Sequence, residues 1–303
     1  MITHRVALCL CLFTAVAGSG GTTIARVGLQ RSDANVVYGM YSGLALLMDV
    51  SYPQAPNGFG ILTIGGTGWH LPETYAAPGQ KDRSYAPDRD ALLASGYTVF
   101  RINHRAAPRF RYPAALEDAQ RAVRFIRSNA QRFGIDAERI GGWGFSSGAH
   151  LVGLLGVLDG AGVLDDPDPV HRQSAKLQCV VAGALPSDLA AGLTAVGSAA
   201  VASFLGNVPF DVGGLALARS ASPLRHVSSD DAAFLLEHGD ADELIPFEQA
   251  VAMEAALRAA GVPVRLRRVP GGDHGGPRFA AQDPQERYAA ILGWFDQYLR
   301  RAQ

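Results

Sequence analysis

A serine flanked by glycines is the first feature of this sequence that could carry out chemistry. Gly144, Ser146 and Gly148 form the pattern G-x-S-x-G, directly after a run of residues typical of a strand and directly before one typical of a helix. A serine at a tight strand-to-helix turn needs small residues two positions away on either side, because its strained backbone packs closely while the hydroxyl projects above the sheet. The neighbouring Ser147 lacks this glycine spacing, so Ser146 is the candidate nucleophile.

A serine hydroxyl is a weak nucleophile at neutral pH unless an adjacent base removes its proton. We expect His274 to be that base, because its glycine-rich loop between the last predicted strand and the last predicted helix could reach Ser146. Six of the other histidines show neither a catalytic spacing nor the H-x-x-x-H or carboxylate-rich pattern of a zinc site. We therefore predict no metal and no cofactor. Those histidines are His4, His70, His104, His150, His171 and His226.

The base needs an acidic residue to orient it, and three residues compete for that role. Asp240, Asp242 and Glu243 all follow a predicted strand at residues 233–237 and precede a predicted helix. We predict Asp242, with Asp240 as the alternative. The resulting chain order of serine, aspartate and histidine differs from the orders in chymotrypsin and subtilisin.

A second glycine-rich segment is suited to stabilising negative charge. Residues 65–69 (G-G-T-G-W) follow a predicted strand that ends at Ile64. Glycines allow backbone N–H groups to approach a substrate oxygen without an intervening side chain, although a plain turn would also use them. The helix that begins at Ser147 would add its first N–H and its positive dipole end. We interpret the segment as an oxyanion loop.

Strands and helices alternate along the chain in a way that could position these residues. This alternation favours an α/β fold, a mostly parallel twisted sheet with helices on both faces, while the opening pair of strands suggests an antiparallel edge. We predict one catalytic domain at residues 18–303, with a small helical cap inserted at about residues 186–221. The predicted strands cover residues 35–41, 45–52, 60–64, 98–103, 139–144, 177–184, 233–237 and 264–269, and the predicted helices residues 88–94, 113–133, 147–158, 246–260 and 284–299.

The overall composition is that of a soluble protein with a substantial core. Of 303 residues, 48% are hydrophobic, and 27 Lys and Arg nearly balance 28 Asp and Glu. No run of like charge indicates binding to nucleic acid or to anionic lipid. We therefore expect a small, weakly charged molecule as the partner.

The N-terminus is typical of a secretory signal peptide. Basic residues lie within residues 1–5, residues 6–16 are apolar, and Ala15 and Ala17 form a small-residue cleavage site. A membrane anchor is the alternative, but this apolar run is only about half of the roughly 20 residues that a spanning helix needs. We therefore predict a signal peptide at residues 1–17 and a secreted or periplasmic protein.

Two further features of the chain bear on this location. Cleavage would leave Cys179 as the remaining cysteine, in an apolar strand-like run where we expect it to be buried. The uncharged residues 189–210 are rich in Ala and Gly and poor in the large aliphatic side chains that drive insertion into a bilayer. We predict a helical cap there, and no stable membrane span after signal cleavage.

Six short segments carry a resemblance to known enzymes. They are residues 49–53 (D-V-S-Y-P), 104–108 (H-R-A-A-P), 112–118 (Y-P-A-A-L-E-D), 133–140 (F-G-I-D-A-E-R-I), 222–224 (S-P-L) and 238–242 (H-G-D-A-D). Together they resemble the α/β-hydrolase esterases of the hormone-sensitive lipase group, and more closely the branch of feruloyl-esterase-like and kynurenine-formamidase-like enzymes. The resemblance implies the α/β-hydrolase fold and gives the triad roles to Ser146, Asp242 and His274.

The chain departs from this group in its oxyanion motif. Where the group has H-G-G-G-W, this chain has Gly65 in place of the histidine and Thr67 in place of the middle glycine. The oxygen-binding donors are main-chain N–H groups, which remain after a side chain changes. The resemblance thus implies that the N–H groups of Thr67, Gly68 and Ser147 form the oxyanion hole. Thr67 fits only with a negative φ.

The function that the resemblance implies is a serine carboxylic ester hydrolase that forms an acyl-enzyme on small acyl or aryl esters. An amidase or peptidase with the same triad is one alternative, and a catalytically silent binding protein on the same scaffold is another. We expect large apolar side chains to line the substrate pocket. The candidates are Trp69, Tyr75, Trp143 and Phe204.

Overall fold

An eight-stranded sheet lies at the centre of the protein. The computed structural model describes residues 31–70, 80–81, 86–191, 195–207, 211–281 and 283–300. The strands are β1 Arg31–Tyr41, β2 Leu44–Tyr52, β3 Gly60–Ile64, β4 Thr98–Ile102, β5 Ile140–Phe145, β6 Cys179–Gly183, β7 Ala233–Gly239 and β8 Val264–Val269. In the sheet they follow the order β1-β2-β4-β3-β5-β6-β7-β8.

Strands β3 to β8 are paired in parallel, whereas β2 is antiparallel to both of its neighbours, β1 and β4. The first hairpin explains this edge. Ser42 and Gly43 connect β1 to β2 with φ angles of 45° and 83°, and two consecutive positive φ angles are what a two-residue hairpin turn of type I′ requires. The prediction of a mostly parallel sheet with an antiparallel opening pair is confirmed.

Helices cover both faces of the sheet. Residues Leu62 and Ile64 of β3 belong to one buried cluster, which includes side chains of the helices at residues 114–128, 147–157 and 248–259. Ile61 belongs to another, which includes side chains of the helices at residues 86–94 and 284–299. This split follows from the alternation of side chains along a strand. The helices are α1 Ala86–Ala94, α2 Ala114–Ser128, α3 Ala130–Phe133, α4 Ser147–Val157, α5 Ala195–Leu205, α6 Val212–Ser220, α7 Glu248–Ala259, α8 Pro277–Ala280 and α9 Pro284–Leu299, with a 3₁₀ helix at Pro223–His226.

The helix predicted over residues 113–133 is divided in the structure. It is interrupted at Asn129, where φ is −111° and ψ is 19°, so α2 and α3 are separate. The Asn129 side-chain amide donates to the Phe125 carbonyl oxygen at 2.9 Å and competes with the helical ladder for it. Gly134, with φ of 67°, then ends α3 in the left-handed conformation that favours glycine.

Between β6 and β7 the chain forms the helices α5 and α6, within the segment for which a cap was predicted. Asp211 begins α6 by accepting the N–H of Gly214 at 3.0 Å. Across the described ranges, no helix combines the length and the apolar character needed to cross a membrane. Cys179 is fully buried in β6, as expected, and burial raises the pKa of its thiol. The predicted signal peptide at residues 1–17 lies outside the described residues.

A buried ionic cluster joins β7 and β8 to the helices α1 and α9. Glu237 of β7 lies 3.2 Å from the Nη1 atom of Arg267 and 3.1 Å from the Nη2 atom of Arg287. Arg287 also pairs with the buried Asp88 of α1. Burial raises the pKa of Glu237, and the two arginines oppose that shift. The cluster thus depends on Arg287, which two buried carboxylates share.

We expect Arg287→Ala to lower the free energy of unfolding by about 3–5 kcal/mol, because it leaves buried carboxylates without their shared cation. Urea denaturation followed by circular dichroism measures the change. Arg258→Ala is the control, since Arg258 pairs with Glu254 on the surface of α7 and its side chain is 64% exposed. The control should lose less than about 1 kcal/mol. Equal losses in the two variants would contradict a special role for the buried cluster.

Candidate active site

Ser146 occupies the turn between β5 and α4 with a left-handed backbone, at φ 54° and ψ −123°. The turn packs so closely that side chains are excluded beside it. A Cβ atom on Gly148 would lie 2.0 Å from the Ile64 carbonyl oxygen, and one on Gly144 would lie 2.4 Å from the carbonyl oxygen of Gly148. The Ser146 N–H donates to Gly183 of β6 at 2.8 Å. The two glycines of the motif are therefore required by contact between backbones.

The structure brings Ser146, His274 and Asp242 into one hydrogen-bonded chain. His274 Nε2 lies 2.9 Å from Ser146 Oγ, and His274 Nδ1 lies 2.8 Å from Asp242 Oδ2. A carboxylate only accepts hydrogen bonds, so the imidazole proton is on Nδ1 and Nε2 can accept the serine proton. The loops that carry the two residues meet at Gly239 and Gly272, where a Cβ on Gly239 would lie 2.3 Å from the Gly272 carbonyl oxygen.

The Asp242 side chain is completely buried and surrounded by donors. Its Oδ1 atom accepts the N–H groups of Leu244 at 2.8 Å and Ile245 at 2.9 Å. Its Oδ2 atom lies 3.4 Å from Nε2 of His238, in addition to the bond from His274. Burial alone would raise the pKa of Asp242, but the hydrogen bonds from His238, His274 and Ile245 outweigh burial and hold the pKa below its usual range. Asp242 is therefore ionised at neutral pH.

The two competing acidic residues face other partners. Asp240 lies 2.6 Å from the guanidinium of Arg268, and Glu243 pairs with Arg278 at the surface. Of these three acidic residues, all of which the structure describes, Asp242 alone forms a hydrogen bond with His274. The geometry thus selects Asp242 over the alternative Asp240.

The predicted oxyanion loop packs against the nucleophile turn. A Cβ atom on Gly66 would lie 2.9 Å from both the Phe145 carbonyl oxygen and Ser146 Cβ. The left-handed conformations of the loop fall on Gly68, with φ of 63°, and on Trp69, with φ of 56°. Thr67 is spared a positive φ, which meets the condition set for a threonine in this loop.

The structure differs from the prediction in how Thr67 uses its N–H group. That group donates to Ser147 Oγ at 2.9 Å, so the side chain beside the nucleophile takes the place of a substrate oxygen. Thr67 is therefore not a donor of the oxyanion hole in this conformation. The N–H groups of Gly68 and Ser147 have no acceptor among the described residues, so both are available to a substrate oxygen. Ser147 is also the first residue of α4, and the positive end of the helix dipole lies there.

Trp69 is held in a conformation that is unfavourable for a large residue, because a left-handed backbone costs about 1–2 kcal/mol for any residue with a Cβ atom. Two contacts of its ring oppose this cost. The ring stacks on Phe204 of α5 with centroids 4.6 Å apart, and Nε1 donates to His150 Nδ1 at 3.2 Å. Sequence reasoning placed His150 on the helix behind Ser146 and gave it no role.

A pocket of about 500 Å³ opens above Ser146 and His274. The oxyanion loop forms one wall, and α5 and the loop after β7 supply others. The side chains that line these walls carry no formal charge, apart from His274 when it is protonated. Sequence reasoning missed most of them, although the small-residue segment 189–210 indicated a cap beside the site. Those residues are Pro186, Gly197, Ala200, Val201, Leu244 and Ile245.

Of the predicted pocket residues, Trp69 lines the pocket and two others do not. Trp143 is 2% exposed and belongs to the buried cluster of α1 and α9. Phe145, on the same face of β5 but at the carboxyl end of the strand, lines the pocket instead. Phe204 is 1% exposed and lies behind Trp69, so it supports the pocket wall and does not line it. Tyr75 lies outside the described residues.

The described part of the chain contains no group of three or more His, Cys, Asp or Glu side chains arranged to hold a metal ion. The chemistry available at this site from the described residues is that of a serine that a histidine can activate, with a buried carboxylate bound to the histidine.

Comparison with known proteins places the chain among hydrolases. A family model described as BD-FAE matches residues 48–257, more than half of the chain, and one described as the prolyl oligopeptidase family matches residues 213–302. The esterase LipQ of Mycobacterium tuberculosis is 26% identical over 215 residues, which cover 71% of this chain and 49% of LipQ. The chain thus spans about half the length of that curated relative.

Two solved structures resemble most of this chain. A truncated carbohydrate esterase from gut microbiota has a TM-score of 0.76 and 28% identity, covering 91% of this chain and 99% of its own. An acetyl ester-xyloside bifunctional hydrolase from Caldicellulosiruptor lactoaceticus has a TM-score of 0.68 and 28% identity, covering 83% of this chain and 88% of its own. These relatives confirm the resemblance that the motifs indicated. Since a matching family model extends from β2 to α7, across the turn at Ser146, the chain belongs to the BD-FAE family and has the α/β-hydrolase fold.

Proposed function

We propose that this protein is a serine carboxylic ester hydrolase that works through an acyl-enzyme. The observation that carries the proposal is the hydrogen-bonded chain from Ser146 through His274 to Asp242 at the base of an open pocket. The names of its relatives, which include esterases and a carbohydrate esterase, support the same activity.

In the first half of the reaction, Ser146 Oγ forms a bond to the ester carbonyl carbon while its proton moves to His274 Nε2. The buried carboxylate of Asp242 stabilises the imidazolium that results. The carbonyl oxygen becomes an oxyanion and accepts the N–H groups of Gly68 and Ser147, each worth about 3–4 kcal/mol in the barrier at sites of this kind. The bond to the alcohol oxygen then breaks, and the leaving alcohol takes the proton from Nε2.

In the second half, water attacks the acyl carbon and gives a proton to His274 Nε2. The same two N–H groups stabilise the second oxyanion. The bond between the acyl carbon and Ser146 Oγ then breaks, Oγ recovers its proton from the imidazolium, and the carboxylic acid leaves. The enzyme returns to its starting state without a cofactor.

The pocket supports a small, uncharged substrate. Its walls are mainly apolar and, apart from His274, carry no titratable side chain that would pair with a charged acyl group or alcohol. A volume of about 500 Å³ suits a short acyl or an aryl ester. The carbohydrate esterase and the acetyl ester-xyloside hydrolase among the similar structures make acetylated carbohydrates one class to test.

A specific observation also favours a second candidate, an amidase or peptidase. The prolyl oligopeptidase family model matches residues 213–302, which include Asp242 and His274. The same triad cleaves amides, and the two activities differ in how the leaving nitrogen is protonated and bound. A direct comparison of matched substrates separates them.

We expect the parent protein to hydrolyse p-nitrophenyl acetate with a kcat/KM well above that for p-nitroacetanilide, and Ser146→Ala to lower kcat by about a millionfold. Release of p-nitrophenol and p-nitroaniline measures both. Ser220→Ala, which changes an exposed serine, is the control and should retain full activity. Faster cleavage of the anilide would favour the amidase. No turnover and no fluorophosphonate adduct on Ser146 would favour a silent binding protein.

We expect Asp242→Asn to lower kcat by about 10⁴-fold, because an amide no longer holds the imidazole in the tautomer with the proton on Nδ1. Asp240→Asn is the matched control, since Asp240 pairs with Arg268 and lies off the hydrogen-bonded chain. Steady-state kinetics on p-nitrophenyl acetate measure both variants. A larger loss in Asp240→Asn would assign the acid to that residue instead.

We also propose that the protein is exported. The support is the pattern of the N-terminus, with basic His4 and Arg5, an apolar run at residues 6–16 and small residues at Ala15 and Ala17. In a bacterial host we expect the periplasm or medium to contain a chain that begins after Ala17, as measured by intact mass. Deletion of residues 2–17 should keep the protein in the cytoplasm. An exported chain that still begins at Met1 would contradict cleavage.

A further inference from the structure

A buried histidine that the proposed chemistry does not use lies one helical turn behind the nucleophile. His150 of α4 is fully buried, and its backbone N–H group donates to the Ser146 carbonyl oxygen at 3.0 Å. Its ring meets the rings of Trp69 and Phe204 edge to face, with centroids 5.0 Å and 5.6 Å away. It is thus in direct contact with the oxyanion loop and with α5.

Both nitrogens of His150 are used, and their partners determine its tautomer. Nε2 lies 2.6 Å from the Ala221 carbonyl oxygen, which can only accept, so Nε2 carries the proton. Nδ1 lies 3.2 Å from Nε1 of Trp69, and an indole N–H can only donate, so Nδ1 carries none. The neutral ring satisfies both partners. A second proton would place two N–H groups against each other, and burial lowers the pKa of His150 to about 4.

The two hydrogen bonds of the His150 ring connect α4 with the oxyanion loop and with Ala221, the residue directly after α6. The loop is held from its other side as well, since the Trp69 carbonyl oxygen accepts the N–H of Ala107 at 2.8 Å. Trp69 immediately follows Gly68, and both have left-handed backbones. A change in the Trp69 backbone would therefore move Gly68, whose N–H group has no acceptor among the described residues and can bind an oxyanion.

We propose that His150 is a positioning residue of the oxyanion hole. By accepting the Trp69 indole N–H while donating to the Ala221 carbonyl oxygen, it holds Trp69 in its left-handed conformation and so keeps the Gly68 N–H directed at the reacting oxygen. This role rests on the proposed ester hydrolysis. His150 itself does not line the pocket, so a change there acts on the site through Trp69.

Two substitutions of His150 test its hydrogen bonds to Trp69 and to Ala221 one at a time. His150→Asn keeps an acceptor near the position of Nδ1, and His150→Gln keeps a donor near the position of Nε2. We expect His150→Gln to lower kcat on p-nitrophenyl acetate by about tenfold or more while KM changes little, because misdirecting one oxyanion donor loses part of its effect. His150→Asn should recover most of that loss. Trp69→Phe, which removes the indole N–H and keeps a ring against Phe204, should match His150→Gln in kcat.

A second readout reports on the oxyanion hole itself. The Ki of a trifluoromethyl ketone, whose adduct with Ser146 bears an oxyanion, should rise by the same factor as kcat falls in His150→Gln and Trp69→Phe. Tyr112→Phe is the matched control. It removes a hydrogen bond of 2.9 Å to Ser220, also at the end of α6, without touching the oxyanion loop. The control should lower the melting temperature and leave kcat and Ki unchanged.

Several results would overturn the positioning role. His150→Gln and Trp69→Phe variants that lose thermal stability but keep kcat and Ki within twofold would show that His150 only fills the core. Equal kcat losses in Tyr112→Phe and Trp69→Phe would also contradict the positioning role. So would a kcat of His150→Asn that is no higher than the kcat of His150→Gln. Measurements on the parent protein separate a failure of the positioning role from a failure of the proposed function. If the parent itself does not hydrolyse the ester, the ester hydrolase proposal is contradicted.

Discussion

The left-handed backbone at Ser146 is the constraint on which the rest of the structure depends. Such a conformation costs roughly 1–3 kcal/mol and persists only where the surroundings determine it from several sides. Here the central strand β5 delivers the serine, the N–H of Ser146 is bound by β6, and Gly148 lies against the carbonyl of Ile64 at the end of β3. Three neighbouring parallel strands therefore hold the serine hydroxyl above the sheet.

The same parallel sheet brings the other functional groups to the serine. Strands β7 and β8 are neighbours and pair Gly239 with Val269, so the loops that follow them emerge at one edge of the sheet. Asp242 and His274 lie in these two loops, which contact each other at glycines. Parallel strands direct their carboxyl ends the same way, and this is why residues separated by 128 positions in the chain form one hydrogen-bonded unit.

The helices inserted after β6 connect this chemistry to the choice of substrate. Gly197, Ala200 and Val201 of α5 face the pocket, while Phe204 on the same helix packs against the back of Trp69. One helix thus sets the width of the pocket and supports the oxyanion loop. Proteins that share the triad can differ in substrate because side chains at such positions change without disturbing the sheet.

The sequence by itself determined the alternation of strands and helices and the turn at Ser146, but it left Asp240 as an alternative to Asp242. The alternation and the turn depend on local patterns: strand and helix periodicity, and Gly144 and Gly148 beside Ser146. Tertiary structure alone decided that the Thr67 N–H binds Ser147 Oγ, that Trp143 is buried below the pocket while Phe145 lines it, and that Phe204 lies behind Trp69. It also gave His150 its two partners. The reason is physical, because the direction of an N–H group or a ring is set by packing between segments distant in the chain, and no pattern within one segment records it.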